Sequence, residues 1–494
     1  MTEENEKLPP LPQEWIWTRL EELADVVDVD HKMPRSVKDG VHFISPKDFV
    51  DPEGIDFENA KRISEEDFQR LSRKCKPESG DLIYSRIGTI GKVRKVPRAA
   101  LFHVSYSLCL IKPVDTLKES DILYAFLKSP FVLKQALAKR RSIGVPDLGL
   151  GDIKKFMIPL APLNEQKRIV ERVEELFTRL DAGVEGLRKV KAQLKRYRQA
   201  VLKYAFEGKL TEEWRKTHTG LRPVLAESPV AQKDQSFSSN LPKDWLLLTI
   251  PNIVAKEKNS IKRGPFGSSI RKEFFAPSGY KVYEQKNVIY NNFNLGNYYI
   301  DKDKFLQLKD FELKSGDIVI TCSGTIGKIA IAPVDLKKGI INQALLKLTL
   351  GGAKVSAKYF LHLFTSKMHD IILDATRGSA MKNISSVKDL KQMLFQIPPL
   401  LEQQKIVEDI EQRFSVADEI EKIASQTVSQ AERLRQGILK HAFEGKLVPQ
   451  DPSDEPADKL LQRIREERAK SKGENDINRR KDKPKQLELS TYVK

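Results

Sequence analysis

Local chemistry in this sequence concentrates in two identical five-residue segments, Gly88-Thr89-Ile90-Gly91-Lys92 and Gly324-Thr325-Ile326-Gly327-Lys328. Each follows a run of β-branched and aromatic residues. Paired glycines let a chain turn tightly and present N–H groups at close range. The hydroxyls of Thr89 and Thr325 can meet a phosphate oxygen, and Lys92 and Lys328 can neutralise it. A plain glycine hairpin turn has the same pattern. Identity between the copies suits a shared task, folding or phosphate contact. Reading different bases calls for residues that differ. Such divergence lies in GVHFISPKDF from Gly40 against GYKVYEQKNV from Gly279, and in HKMPRSVK against IKRGPFGSSIRK. Arg35, Lys47 and Arg86 in the first copy, and Arg263, Arg271, Lys286 and Asn287 in the second, are candidates for base edges or phosphates. Arginine suits guanine and asparagine suits adenine, and a solvated surface charge is the alternative for each.

Patterns for catalysis are sparse. The sequence has no GxxxxGK[ST] loop for a nucleotide motor and no Asn- or Asp-Pro-Pro-aromatic loop for amino-methyl transfer. Of the histidines, only His362 and His369 lie near one another, and that spacing fits surface positions two turns apart better than a ligand pair. Pro146-Asp147 with Asp152-Ile153-Lys154 imitates a nuclease motif, but the gap is too short to place two carboxylates on adjacent strands, and the second half has no equivalent. Cys75, Cys109 and Cys322 are far apart and form no CxxC pair. No catalytic or metal-ligating residue is expected on this chain.

The elements that must position the candidates are written twice. SGDLIYSRIGTIGK from Ser79 returns as SGDIVITCSGTIGK 236 residues later. PLNEQKRIVERVEELF from Pro162 returns as PLLEQQKIVEDIEQRF, and RQAVLKYAFEGKL from Arg198 as RQGILKHAFEGKL, each displaced by 237 residues. LPQEW at Leu11 matches LPKDW at Leu241. Each copy is a diverged globular part followed by a helix. Apolar steps of three and four through Ile169, Val173, Leu176, Leu180, Val184, Leu187, Val190, Leu194, Tyr197, Val201 and Tyr204 predict an amphipathic helix with a coiled-coil seam. Asn164 is the expected cap and Gly208 the expected stop. The 44 residues from Asn164 to Glu207 would span about 66 Å. A looser seam through Ile406, Ile410, Phe414, Ala417, Ile420, Ile423, Ala431, Leu434, Ile438 and Ala442 predicts its partner over 401–444. Strands are expected at 81–87, 103–112, 317–323 and 341–350, and helices at 121–139 and 356–376. The reading divides the chain into globular parts at 1–161 and 241–398, helices at 162–210 and 399–448, a linker at 211–240 without periodicity, and a tail at 449–494. The tail should hold a short helix over KLLQRIREERAK and then be disordered.

The 494 residues are too many for one compact core. Lys+Arg 85 against Asp+Glu 68 gives +17, of which the tail from Pro449 carries only +2, so the basicity belongs to the folded body. Such an excess suits a polyanion, nucleic acid ahead of a membrane surface. No membrane-length apolar stretch occurs and the polar start lacks a signal-peptide pattern, so a cytoplasmic location is expected.

Two diverged globular parts, each followed by a long near-identical helix, resemble the specificity subunit of a Type I restriction-modification system over almost the whole chain. The residues that carry this are the LP-x-x-W openings, the SGD…GTIGK segments, the PL-x-EQ-x-x-IV helix starts, the AFEGKL helix ends and the tail PQDPSDEPADKLLQRIREERAK. The resemblance implies an α+β fold. Two mixed α/β target recognition domains in tandem would be separated by two long antiparallel coiled-coil helices with pseudo-twofold symmetry. Each domain would read one half of a bipartite, asymmetric site in double-stranded DNA, and the helices would set the spacer. Two modification subunits using S-adenosylmethionine would methylate adenine, and restriction subunits using ATP and magnesium would join them. The chain itself would be non-catalytic and hold no cofactor. A DNA-binding adaptor of another defence assembly, and a structural coiled-coil adaptor, remain the alternatives.

Overall fold

A computed structural model describes residues 8–50, 53–118, 121–141, 144–221, 241–266, 269–352, 354–376 and 387–481. The chain folds into two compact units, residues 1–187 with 426–494, and residues 188–425. The long helices are therefore not a separate domain, because each contributes one half to each unit. They run Leu163–Phe206 and Leu400–Phe443, 44 residues apiece. Both begin one residue earlier than their apolar pattern suggests. Pro162 and Pro399 already accept the first helical hydrogen bonds, from Gln166 N and Gln403 N, so Asn164 sits inside the first turn and does not cap it.

The globular parts repeat one plan. In the first unit an antiparallel sheet has the order Ala24–Val27, Leu108–Pro113, Leu82–Ser85, Val93–Lys95. In the second the order is Ile261–Arg263, Leu345–Leu348, Ile318–Thr321, Ile329–Ile331. Beside each lies a smaller mixed sheet centred on Val41–Ile44 or Tyr280–Tyr283, with one parallel pairing, to Phe102–Val104 or Gly339–Ile341. A two-stranded ribbon then closes each part, pairing Ile16–Arg19 with Met157–Leu160, and Leu246–Thr249 with Leu394–Ile397. The ribbon delivers the chain directly into the long helix.

The repeated sequence motifs meet at that point. In the first unit Trp15 Nε1 donates to Glu165 Oε2 at 2.9 Å, and Gln450 Nε2 donates to Glu165 Oε1 at 2.5 Å. In the second, Trp245 Nε1 donates to Glu402 Oε2 at 2.9 Å, with Thr211 and Arg215 on Oε1 at 2.6 and 2.5 Å. Both carboxylates are fully enclosed. The next residue ties the helix start to the ribbon: Gln166 donates to Ala161 O and Gln403 to Pro398 O. Gly445 and Gly208, at φ +66° and +75°, end the opposite helices, and a Cβ there would strike Pro12 or Pro242 at about 2.5 Å. LP-x-x-W, PL-x-EQ and AFEGKL are thus three sides of one joint.

Within each unit the helix halves run antiparallel and share a reciprocal ion pair. Arg435 meets Asp181 and lies 4.2 Å from the Phe177 ring. Its counterpart Arg198 meets Asp418 at 2.6 Å and Glu421 at 2.9 Å. The seam departs from its expected course near the end of the first helix and in the middle of the second. Leu202, Ala205 and Phe206 are buried whereas Tyr204 is exposed, and Ala424 is buried whereas Ile420, Ile423 and Leu434 are exposed. At the end of the first helix drift from a strict heptad turns another face inward, whereas in the second the buried line Ile410, Ala417, Ala424, Ile438 keeps multiples of seven and leaves the other apolar positions outside.

The segment from Thr211, expected to be a linker without periodicity, contains a short helix at Glu212–Thr217, and residues 222–240 lie outside the described chain. The terminal helix is also longer than expected, Ala457–Lys481. It buries Ala457, Leu460, Leu461 and Ile464 in the first unit's core and pairs Arg465 with Glu22 at 2.6 Å. The expected disorder beyond residue 481 falls outside the described residues.

Two predictions follow from burial. Trp15→Phe removes the donor from an enclosed carboxylate and should cost about 1–3 kcal/mol, read as a lower urea midpoint at unchanged slope; an unaltered midpoint would contradict the joint. Lys281 is 1% exposed and its Nζ has no hydrogen-bond partner among the described residues. Burial lowers its pKa below the usual lysine value. The unfolded chain then binds the extra proton between the lowered value and about 10.5, so stability rises with pH across that window. Lys281→Met should stabilise the protein at neutral pH, with the advantage shrinking toward pH 10 in pH-dependent unfolding curves.

Candidate nucleic-acid interface

The Gly-Thr-Ile-Gly-Lys segments are hairpin turns joining Leu82–Ser85 to Val93–Lys95, and Ile318–Thr321 to Ile329–Ile331. Gly91 N donates to Ser85 O and Lys92 N to Ser85 Oγ; Gly327 N donates to Thr321 O and Lys328 N to Thr321 Oγ1. Gly88 N is spent on Pro146 O. All four glycines have φ between +64° and +88°. A Cβ at Gly91 would reach Leu133 Cδ1 at 2.5 Å, and one at Gly327 would reach Met368 Cε at 2.5 Å. Folding therefore accounts for both glycine pairs: one supplies the turn, the other lets the turn press onto a helix. The exposed groups are Thr89, Thr325 and Lys328, whereas Lys92 is half-buried.

Two of the divergent candidates are internal. Asn287 is fully buried; its Oδ1 accepts from Glu284 N, and its Nδ2 donates to Asn292 O and Leu295 O. Asp48 does the corresponding work in the first unit, accepting from Ser45 N at 2.8 Å. Asn287 thus closes a turn and offers no atom to adenine. Arg86 is 5% exposed and donates to Asp147 Oδ1 at 2.9 Å. That contact also settles the nuclease-like motif, because Asp147 is held by Arg86 and Asp152 by Arg141 at 2.6 Å. Sequence spacing could not show either, since both partners come from another part of the domain.

The other candidates are at the surface. Arg35 and Lys47 are exposed. Arg271 is exposed with Glu273 at 3.6 Å, and Lys286 is half-exposed with Glu284 at 2.8 Å and the Tyr298 ring at 5.5 Å. Arg263 is exposed, and its Nε donates to Gln343 O at 3.4 Å. Strand pairing brings Arg263 and the Gly324–Lys328 turn to the same end of the four-stranded sheet. At that end Arg263 borders a cavity of about 480 Å³ whose walls also include Lys262, Phe266, Phe311, Ser323 and Gln343. Sequence reading missed Phe266, Ser323 and Gln343; the aromatic after Gly264-Pro265 could have signalled the first, and nothing local marks the other two.

Burial shifts three thiols and three imidazoles toward their neutral forms. Burial raises the thiol of Cys75, and pushes Cys109 up to about 12 and Cys322 up to about 11. Burial likewise lowers His42, His103 and His362, which favours their neutral forms. Among the described residues no three His, Cys, Asp or Glu side chains cluster as metal ligands, and no helix is long and apolar enough to cross a membrane.

The family model of the Type I restriction modification DNA specificity domain matches residues 12–192 and 261–430. The chain is 29% identical over 363 residues to the Type I restriction enzyme EcoBI specificity subunit of Escherichia coli, covering 70% of this chain and 71% of the relative. It is 25% identical over 422 residues to the EcoKI specificity subunit of Escherichia coli strain K12, covering 81% and 83%. Its fold resembles a chain from a solved structure on complex assembly and conformational transition of the type I R-M system. There the TM-score is 0.58 at 18% identity, over 89% of this chain and 100% of the other.

Among the candidates Arg86 is buried against Asp147, whereas Lys328 is exposed. Arg86→Ala, which leaves Asp147 and a buried pocket unfilled, should lower the melting temperature. Lys328→Ala should leave it unchanged. If Lys328 meets a phosphate, the same change weakens binding to all duplexes alike and reduces the slope of log affinity against log salt by about one. An unaltered salt slope would remove Lys328 from the interface.

Proposed function

Because this chain belongs to the Type I restriction-modification DNA specificity family, we propose that it is the address of a DNA-modifying complex, each globular part reading one half of a two-part site. The observation that carries this reading is the contrast between its repeated and its diverged parts. Joints, hairpin turns and long helices recur nearly unchanged, while the surface segments that could touch bases differ. A scaffold present twice, bearing two different readers, suits a site of two unlike halves.

In this proposal the helices are the ruler. At 44 residues each they would extend about 66 Å, ample against the roughly 34 Å of one DNA turn. The basic body attracts the duplex and exposed threonines and lysines hold phosphates, which fixes position without reading sequence. Arginine and amide side chains on the diverged segments then discriminate base edges.

The helices also offer a docking surface. Tyr197, Val416, Ile420, Ile423 and Leu434 are between 40% and 60% exposed, more apolar helix surface than solvent alone favours. We assign these faces to two modification subunits, which would bring S-adenosylmethionine and flip an adenine out of the duplex to methylate N6. Restriction subunits with ATP and magnesium would complete the assembly. Catalysis would then belong to the partners, and this chain would choose where it happens.

The test is a map of N6-methyladenine in cells carrying the modification subunit, with and without this gene. The expected result is an asymmetric two-part motif with a fixed gap that disappears on deletion. Methylation unchanged by deletion, with both proteins shown to be expressed, would contradict the proposal.

A further inference from the structure

The two globular parts place different side chains at one corresponding corner, and we infer that this corner reads the bases, an inference that rests on the DNA-recognition reading above. Strand register fixes the correspondence. Ser85 pairs with Leu108 as Thr321 pairs with Leu345, and Ile111 pairs with Val26 as Leu348 pairs with Ile261. Counting on from these pairs, Asp28 answers to Arg263, His31 to Phe266 and Tyr106 to Gln343. In the first unit the corner is closed. The His31 ring stacks on Tyr106 with centroids 5.5 Å apart, and His31 Nε2 lies 3.2 Å from Asp28 Oδ2.

In the second unit the same corner is open. Gly264 approaches the backbone so closely that a Cβ would lie 1.8 Å from Asn342 O, which no side chain permits. Gly264 N still donates to Leu345 O, so the chain runs close along the neighbouring strand before Phe266, 86% exposed, lines the 480 Å³ cavity. Arg263, Gln343 and Ser323 are all exposed along its rim.

Bases, not phosphates, match this set. A phosphate contact, whether from a cation, a hydroxyl or an N–H, carries no sequence information and could be the same in both copies, yet here the residue types change from acid, imidazole and phenol to guanidinium, phenyl and amide. Arginine can pair with guanine O6 and N7, and glutamine with adenine N6 and N7. The rings of Phe266 and Phe311 add an apolar wall that suits a thymine methyl or a base step, and that a phosphate would not use. Arg263 and Gln343 therefore hydrogen-bond base edges of one half-site, with Phe266 packed beside them.

The experiment uses the full chain expressed with its own modification subunit in a host lacking N6-adenine methylation, followed by motif mapping. The variants are Arg263→Ala, Arg263→Lys, Gln343→Ala and Phe266→Ala, all at exposed positions. The expected result is relaxation of letters confined to one half of the motif, with discrimination falling on the order of tenfold at each relaxed letter. The other half and the gap should stay intact. Arg263→Lys keeps the charge but not the two-point fork, so it should relax the same letter as Arg263→Ala. Uniformly weaker methylation with every letter retained would make these phosphate contacts and overturn the inference. So would an unchanged motif, a letter kept by Arg263→Lys, or changes spread over both halves. A wild-type chain that yields no two-part motif would instead sink the recognition reading itself, and this inference with it.

Discussion

A glutamate at the start of each long helix is enclosed and held by an indole N–H, and the other joints of the fold converge on it. A carboxylate taken out of water is costly unless hydrogen bonds replace the lost solvent. Glu165 meets that condition only when three remote stretches come together: Trp15 from the start of the globular part, the helix start itself, and Gln450 beyond the end of the other helix. Burial raises the Glu165 pKa while the donated hydrogen bonds from Trp15 and Gln450 oppose the shift. Glu402 imposes the same condition through Trp245, Thr211 and Arg215. In the first unit the joint unites the beginning and the end of the described chain, with Ala457 N donating to Glu14 O and Arg168 meeting Asp454 at 2.6 Å. The first part of the tail, through Arg468, therefore belongs to the fold of the first globular part.

This dependence explains why the repeated motifs are spread so far apart in sequence. LP-x-x-W, PL-x-EQ and AFEGKL look like three separate signatures when read along the chain, and in space they are one contact. Their recurrence, the helices and the strands Leu82–Ser85 and Ile318–Thr321 were legible because periodicity and repetition are local properties. The cap at Asn164 and the seam residue Tyr204 were misplaced because proline acceptors and helix drift decide those details. The terminal helix was underestimated because its buried face, Ala457 to Ile464, is short and its remainder is charged.

The candidate site was legible in kind more than in residue. Positive charge, glycine turns and divergence between copies are visible in the sequence, and they mark Arg263 only as one candidate among several. Whether a polar residue is spent internally depends on how the backbone around it folds. Arg86 finds Asp147, 61 residues on, and Asn287 closes its own turn, so both leave the surface. Gln343 and Ser323 come to the Arg263 corner only through strand pairing, and no local pattern marks them. The same logic gives the shared glycine turns a structural role: Gly91 and Gly327 are small because Leu133 and Met368 lie against them.

The account divides labour between a repeated scaffold that sets distance and diverged surfaces that set letters. The most direct test lengthens the scaffold alone. One added turn of four residues, about 6 Å, can be inserted in each helix, at Gly183–Gly186, where the glycines face open space, and at the exposed Ser429–Gln430 of the second helix. Mapping the methylated motif of that chain should show both half-sites unchanged and the gap between them longer by one or two base pairs. Altered half-site letters with an unchanged gap would contradict the account.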